Sequence, residues 1–66
     1  MRPYKNIKIG DIYQRYPGSL DYIVTDKCDE EKMIEIQGIS TTGYISSKFW
    51  KSNRDSLFNR RVWHEN

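Results

Sequence analysis

The chain has 66 residues, a formal net charge of +2 and one cysteine. A chain this short folds as one small domain, residues 1–66, whose single core leaves no room for a deep cavity. We therefore expect no enzyme activity and no small-molecule substrate. Cys28 has no second cysteine to pair with, and no stretch reaches the ~18 apolar residues of a membrane span, so we expect a cytoplasmic protein that contacts no membrane.

Short strands are the predicted elements of the first forty residues. Turn-forming residues recur about every 8–12 positions, the spacing typical of a small barrel or sandwich. Pro17-Gly18 is the firmest turn signal, because Pro presets φ and Gly supplies a positive φ. Residues 20–25 and residues 33–39 alternate between apolar and polar side chains, which is typical of half-buried strands. Since these two segments flank an acidic loop, they are predicted to pair as a hairpin.

The last third of the chain admits two interpretations. In the favoured one, residues 43–46 form a fourth strand, Ser46-Ser47 caps one or two helical turns over residues 48–51, and residues 57–63 form the final strand. In the other, residues 47–61 form one amphipathic helix, which the asparagines and the aspartate within it disfavour. The predicted fold class is mainly β, a small five-stranded SH3-like barrel with a short helical turn before the last strand.

The order of several short motifs is similar to that of a known class of proteins. Gly10-Asp11-Ile12-Tyr13, Tyr22-Ile23-Val24-Thr25 and Gly43-Tyr44 are followed by Phe49, Phe58 and Arg61-Val62. This pattern resembles small uncharacterised proteins of phages and prophages, and the resemblance covers most of the chain, Ile9 to Val62. It implies a phage-type accessory protein with a small SH3-like β fold, and it brings no catalytic residue to this sequence. The chain departs from the pattern in its long acidic loop and in residues 34–37.

Charge is separated along the chain. Residues 21–35 carry six acidic side chains and two lysines, whereas residues 48–61 carry five cationic side chains and one carboxylate. Lysine and arginine neutralise phosphates, and exposed aromatic rings stack on unpaired bases, so the second segment predicts a nucleic-acid-binding site. The candidate residues are Lys48, Lys51, Arg54, Arg60 and Arg61, with Tyr44 and Trp50 as stacking platforms. The competing interpretation assigns the rings to the core and the cations to a solvated face.

A protein partner is the alternative to nucleic acid. In this interpretation the protein modulates or inhibits a host enzyme or defence factor, with aromatic side chains supplying the affinity. The acidic residues 26–31 could resemble a run of phosphates that docks on a basic protein, but a solvated hairpin tip is the favoured interpretation. An unpaired strand edge also invites self-association, so the expected state is a monomer or a weak homodimer.

Catalytic, metal and cofactor chemistry find no support in the residue pattern. His64 is the sole histidine, and no sequence feature places an orienting carboxylate beside it, so it is interpreted as a tail residue. The acidic neighbours of Cys28 disfavour its thiolate. One cysteine and one histidine are too few for a tetrahedral zinc site, and the glycines are scattered rather than gathered in a phosphate-binding loop. We expect no catalytic residue, no metal and no cofactor.

Overall fold

Five antiparallel strands and two short 3-10 helices build residues 3–64, the part of the chain that the computed structural model describes. The strands are β1 (Ile12–Tyr13), β2 (Asp21–Cys28), β3 (Met33–Ile39), β4 (Phe49–Ser52) and β5 (Arg61–Trp63). Helix η1 (Tyr4–Asn6) precedes the sheet, and helix η2 (Ser56–Asn59) lies between β4 and β5 in the chain. The sheet has the order β4-β3-β2-β1-β5, so the first and the last strand are hydrogen-bonded neighbours.

The β2–β3 hairpin is the longest pairing of the sheet, and it confirms the hairpin predicted from the alternating pattern. Val24 lies opposite Ile36, and the register then shifts before Asp26, which leaves Thr25 as a bulge. Oγ1 of Thr25 donates a 2.8 Å hydrogen bond to Oε1 of Glu35. A bulge increases local twist, so the long hairpin bends around the core.

The core lies on one face of the sheet. Its members on the strands alternate with residues of the opposite face, as expected when a sheet is covered on one side. Ile7, which follows η1, and Leu57 and Phe58, which belong to η2, complete it. The rings of Tyr13 and Phe58 meet edge to face with centroids 5.1 Å apart, which joins β1 to η2. The buried apolar residues are Ile7, Tyr13, Val24, Ile34, Ile36, Leu57 and Phe58.

A short helical turn does precede the last strand, as predicted, but it is η2 (Ser56–Asn59) and not residues 48–51. Phe49–Ser52 instead form β4, an edge strand that pairs with β3. The Phe49 ring packs at 90° to the Tyr22 ring, with centroids 6.2 Å apart. Strand formation depends on cross-strand packing of this kind, and here it outweighs the local capping signal of Ser46-Ser47.

The strand predicted over residues 43–46 is also wrong. This segment makes one bridge to the sheet, between Ile39 and Ile45. It begins with Gly43 at a φ of 95°, whose N–H donates to the carbonyl of Ser40. A positive φ belongs to a turn, so the segment serves mainly to connect β3 to β4.

The final strand is shorter than predicted, because residues 56–59 coil into η2 and leave only Arg61–Trp63 in β5. Oδ1 of Asp55 accepts a 2.9 Å hydrogen bond from the Leu57 N–H and caps η2. A single helix over residues 47–61 is therefore wrong. The mainly β class and the five strands are confirmed. The edge strands β4 and β5 are not paired with each other within residues 3–64, so closure into an SH3-like barrel stays a prediction.

Two identical substitutions test the assignment of the core. We expect Ile36→Val to lower the free energy of unfolding by about 0.5–1.5 kcal/mol, because it deletes one methylene from a packed interior. Ile45→Val is the matched control, since the Ile45 side chain is 61% exposed, and its effect should stay within about 0.5 kcal/mol. Urea unfolding followed by tryptophan fluorescence measures both. Equal unfolding midpoints for the two variants would contradict the described core.

Tyr4 ties η1 to the turn of the hairpin. Its hydroxyl donates a 2.6 Å hydrogen bond to Oδ1 of Asp29, and Nζ of Lys27 lies 4.1 Å from its ring centroid. Burial raises the pKa of the Tyr4 phenol to about 12, and Asp29 adds to this shift through its hydrogen bond and its charge. Burial also lowers the pKa of the Lys27 amine. These contacts of Tyr4 hold the segment before β1 against β2 and its turn.

We expect the phenol of Tyr4 to ionise near pH 12 in the folded protein. Because this pKa lies above the ordinary value of 10.0, the contact stabilises the fold fully below pH 10 and is lost as the pH rises through about 12. A titration of phenolate absorbance measures the step. Tyr4→Phe should remove it, and Asp29→Asn should move it to lower pH. A late step that persists in Tyr4→Phe belongs to another tyrosine.

Candidate functional site

A buried carboxylate lies where β1 begins. Asp11 is fully buried, the one charged side chain of residues 3–64 in the buried class. Its Oδ2 accepts hydrogen bonds from the Lys8 backbone N–H at 3.0 Å and from the Tyr13 hydroxyl at 3.2 Å. Its own carbonyl accepts a 2.9 Å bond from the N–H of Val24. A buried charge needs such partners, so the local backbone is built around this carboxylate.

Arg61 and His64 supply further groups around Asp11. Nδ1 of His64 lies 2.9 Å from Oδ1 of Asp11, and Nη1 of Arg61 lies 4.0 Å from Oδ2. Nη1 of Arg61 also lies 2.9 Å from Nδ1 of His64 and donates to the carbonyl of Asn6 at 3.4 Å. The interpretation of His64 as a tail residue without a carboxylate beside it is therefore wrong. Asp11 and His64 are 53 positions apart in the chain, and the pairing of β5 with β1 brings their side chains together.

An arginine-lined depression lies beside this cluster. It has a volume of about 530 Å³ and is lined by Arg15, Ser56, Asn59, Arg60 and Arg61. Guanidinium groups present planar sets of N–H donors that match the oxygens of phosphate and carboxylate groups. Three of them, with a hydroxyl and an amide, make a site whose chemistry suits an oxyanion.

The three arginines are held to different degrees. Nη1 of Arg15 lies 3.3 Å from Oδ1 of Asp55, the residue that caps η2. Arg61 is held by the cluster around Asp11 and is largely buried, with 23% of its side chain exposed. Arg60 has an exposed side chain, while its backbone carbonyl accepts a 3.0 Å bond from the N–H of Gln14. Two of the guanidinium groups are thus positioned by the protein itself, and the third extends into solvent.

The structure gathers four of the predicted site residues around η2. Arg60 and Arg61 line the depression. Nζ of Lys51 lies 3.9 Å from Oδ2 of Asp55, the carboxylate that also contacts Arg15, so Lys51 reaches the same side of η2. Arg54 is exposed and directly precedes Asp55 in the chain. Asp55 therefore interrupts the basic face, and at the same time it is bound by two cations.

The other three predicted residues lie elsewhere. Tyr44 is 58% exposed in the connection between β3 and β4. Lys48 is exposed just before β4, the edge strand farthest from β5 in the sheet order. Trp50 is 43% exposed and lies opposite Glu35, on the face of the sheet away from the core.

Sequence reasoning missed Arg15, Ser56 and Asn59 of the depression. Arg15 belongs to the turn after β1, far from the basic run in the chain, and only the β1–β5 pairing and η2 bring it near Arg60. Ser56 and Asn59 are weak helix formers that argue against a long helix over residues 47–61, and they line the site from a single 3-10 turn. No local pattern indicates these contacts.

The face of the sheet away from the core forms a second surface, which we call the outer face. Its middle row runs from Trp63 through Ile12 and Ile23 to Gln37, and Trp63 is 52% exposed. A neighbouring cavity of about 320 Å³ is lined by Cys28, Glu31, Met33 and Trp50. The outer face also carries the cross-strand pair Asp26 and Glu35, so it is apolar and acidic where the η2 side is basic.

Asp11 is expected to be indispensable to the fold. Asp11→Ala removes the carboxylate that the Lys8 N–H, the Tyr13 hydroxyl and the His64–Arg61 pair surround, and disruption of a buried pair costs about 3–5 kcal/mol. That is comparable to the whole stability of roughly 3–5 kcal/mol expected for a domain of this size. Far-ultraviolet circular dichroism should show a largely unfolded variant, whereas Glu30→Ala, in the exposed hairpin turn, should keep the wild-type spectrum. A folded Asp11→Ala of wild-type stability would rule out this role.

Neither a membrane-crossing helix nor a metal-binding cluster is present within residues 3–64: no helix has the length and apolarity to cross a bilayer, and no three His, Cys, Asp or Glu side chains are grouped to hold an ion. In comparisons with known proteins, no family model, no curated protein and no solved structure matches this chain. Its function is therefore inferred from the geometry and charge of its own residues.

Proposed function

We propose that this protein is a non-enzymatic nucleic-acid-binding module that holds a backbone phosphate in the arginine-lined depression. The observation that carries the proposal is the convergence of Arg15, Arg60 and Arg61 on one polar depression with Ser56 and Asn59. Phosphate contacts from arginine, serine and asparagine side chains supply most of the affinity of proteins for nucleic acid and fix its position.

Preorganisation supports this assignment. The side chain of Arg15 is already restrained by its contact with Asp55. Immobilising a long side chain otherwise costs about 0.5–1.5 kcal/mol when a ligand binds. A depression in which one guanidinium group is already restrained avoids that part of the cost.

The surroundings of the depression add long-range attraction. Five cations lie in or beside it against two carboxylates, Asp55 and the buried Asp11: Arg15, Lys51, Arg54, Arg60 and Arg61. Such an excess of one sign raises the rate of encounter with a polyanion. The proposal is for a phage-type accessory protein of the cytoplasm with an SH3-like sheet, which the short motifs and the lone cysteine support.

A fluorescence titration with single- and double-stranded DNA at low and moderate salt tests the proposal. Binding should quench tryptophan emission and weaken steeply with salt, because counterions are released from the phosphates. Arg60→Ala should weaken binding and reduce the slope of log K against log salt by about one. Lys48→Ala is the matched control, because it removes the same charge just before β4, the edge strand farthest from β5. Its affinity and its salt slope should both stay close to those of the wild type.

Two outcomes would count against the proposed site. No quenching by micromolar DNA at low salt removes nucleic acid as the partner. Equal losses in Arg60→Ala and Lys48→Ala indicate that binding follows net charge rather than the depression.

A protein partner remains the second candidate, and the outer face favours it. Trp50 and Trp63 are each about half exposed there, beside apolar Ile12 and Ile23 and acidic Glu35. Exposed tryptophan is typical of interface hot spots, and the acidic side chains select a basic surface on the partner. In the alternative, the protein modulates a host enzyme or defence factor through this face, and Trp50→Ala should disrupt the complex while Arg60→Ala leaves it intact.

A further inference from the structure

One ring nitrogen of His64 faces two groups that make opposite demands on it. Nδ1 lies 2.9 Å from a carboxylate oxygen of Asp11 and 2.9 Å from the guanidinium Nη1 of Arg61. A protonated Nδ1 donates to the carboxylate and has no lone pair for the guanidinium. An unprotonated Nδ1 accepts from the guanidinium and repels the carboxylate. The two contacts therefore belong to two alternative arrangements of the cluster. A neutral ring can adopt either arrangement through its two tautomers, whereas a doubly protonated ring can adopt only the one in which Nδ1–H donates to Asp11.

The arrangement in use decides how Arg61 is held. When Nδ1 is unprotonated, the Arg61 guanidinium is bound to His64 and to the carbonyl of Asn6. When the imidazole carries two protons, Nδ1–H donates to Asp11, the positive ring repels the guanidinium, and Arg61 turns toward the depression that it lines. The doubly protonated ring also places one more positive charge beside that depression. The released guanidinium and the added charge both favour a bound anion.

The other charged and titratable groups around the cluster do not provide this switch. Asp11 is surrounded by the Tyr13 hydroxyl, by Arg61 and by Lys27 of β2, whose charge is coupled to it. Among side chains, histidine is the one that ordinarily changes charge between pH 5 and pH 8. His64 is the sole histidine of the chain, and its ring contacts both Asp11 and Arg61 in the cluster.

We propose that His64 is the positioning residue of the arginine-lined depression, and that its protonation releases Arg61 to bind an anion and so makes binding stronger at low pH. This regulation rests on the proposed function, because it acts on the same site. Binding and protonation are linked reciprocally. If protonation strengthens anion binding by a given factor, a bound anion strengthens proton binding to the imidazole by the same factor and so raises its pKa.

Affinity measured against pH tests the first half of the proposal. The probes are a short single-stranded oligonucleotide and inorganic sulfate, neither of which changes its charge between pH 5.5 and pH 8. For the intact protein at constant ionic strength, the affinity for both should rise about fivefold or more from pH 8 to pH 5.5, the lower end of typical coupling between sites. His64→Asn should bind with nearly the same affinity at both pH values, and its amide spectrum shows whether it is folded.

The imidazole itself tests the second half without any substitution. Because the protein has one histidine, its ring resonances can be followed by NMR through a pH titration with and without sulfate. Sulfate should shift the midpoint of the His64 titration to higher pH, and Arg61→Lys should reduce that shift, since lysine lacks the planar fork of N–H donors.

The outcomes separate the two proposals. Oligonucleotide binding that is equally strong at both pH values, with a His64 titration unmoved by sulfate, overturns the role of His64 and leaves the proposed function in place. Absence of oligonucleotide binding at either pH overturns the proposed function and, with it, this regulation. A pH dependence that persists unchanged in folded His64→Asn assigns the effect to other groups and also overturns the inference.

Discussion

The buried carboxylate of Asp11 connects the first strand of the sheet to the last, and the other features of the site depend on it. Asp11 enters the interior at the start of β1, where a charge is tolerated only if donors surround it. Some of these donors are local, but His64 and Arg61 come from the last strand and the residue after it. The need to satisfy one charge thus fixes where β5 lies, and β5 in turn places the arginines of the depression.

The sheet separates two surfaces of opposite character. Around η2, arginines and lysines outnumber the partly exposed carboxylate of Asp55, which is itself bound by Arg15 and Lys51, and the buried carboxylate of Asp11. On the outer face, Asp26 and Glu35 lie among exposed apolar rings. A net charge of +2 gives no hint of this division. In the field of such a molecule a polyanion is drawn to the η2 side and turned away from the outer face, so the charge pattern selects orientation more than affinity.

Local patterns predicted the fold where the structure is local. The central hairpin follows from alternation with a period of two, which records burial on one face directly. Ser46-Ser47 misled, because a capping pattern is visible in the sequence whereas pairing of β4 with a distant strand is not. The site divides in the same way: Arg60 and Arg61 were predicted from their charge, but Arg15 and His64 join them only through the pairing of β1 with β5.

The pairing that completes the site is also one of the two shortest in the sheet. Strand β1 has two residues and β5 has three, with a bulge between them. Small units of this kind open by local unfolding at a lower free-energy cost than a long hairpin. When β5 detaches, Arg60 and Arg61 leave the depression while β2 and β3 remain paired. Because the depression exists only while β5 is paired, a ligand at the proposed site should slow amide hydrogen exchange in β5 more than in the central hairpin.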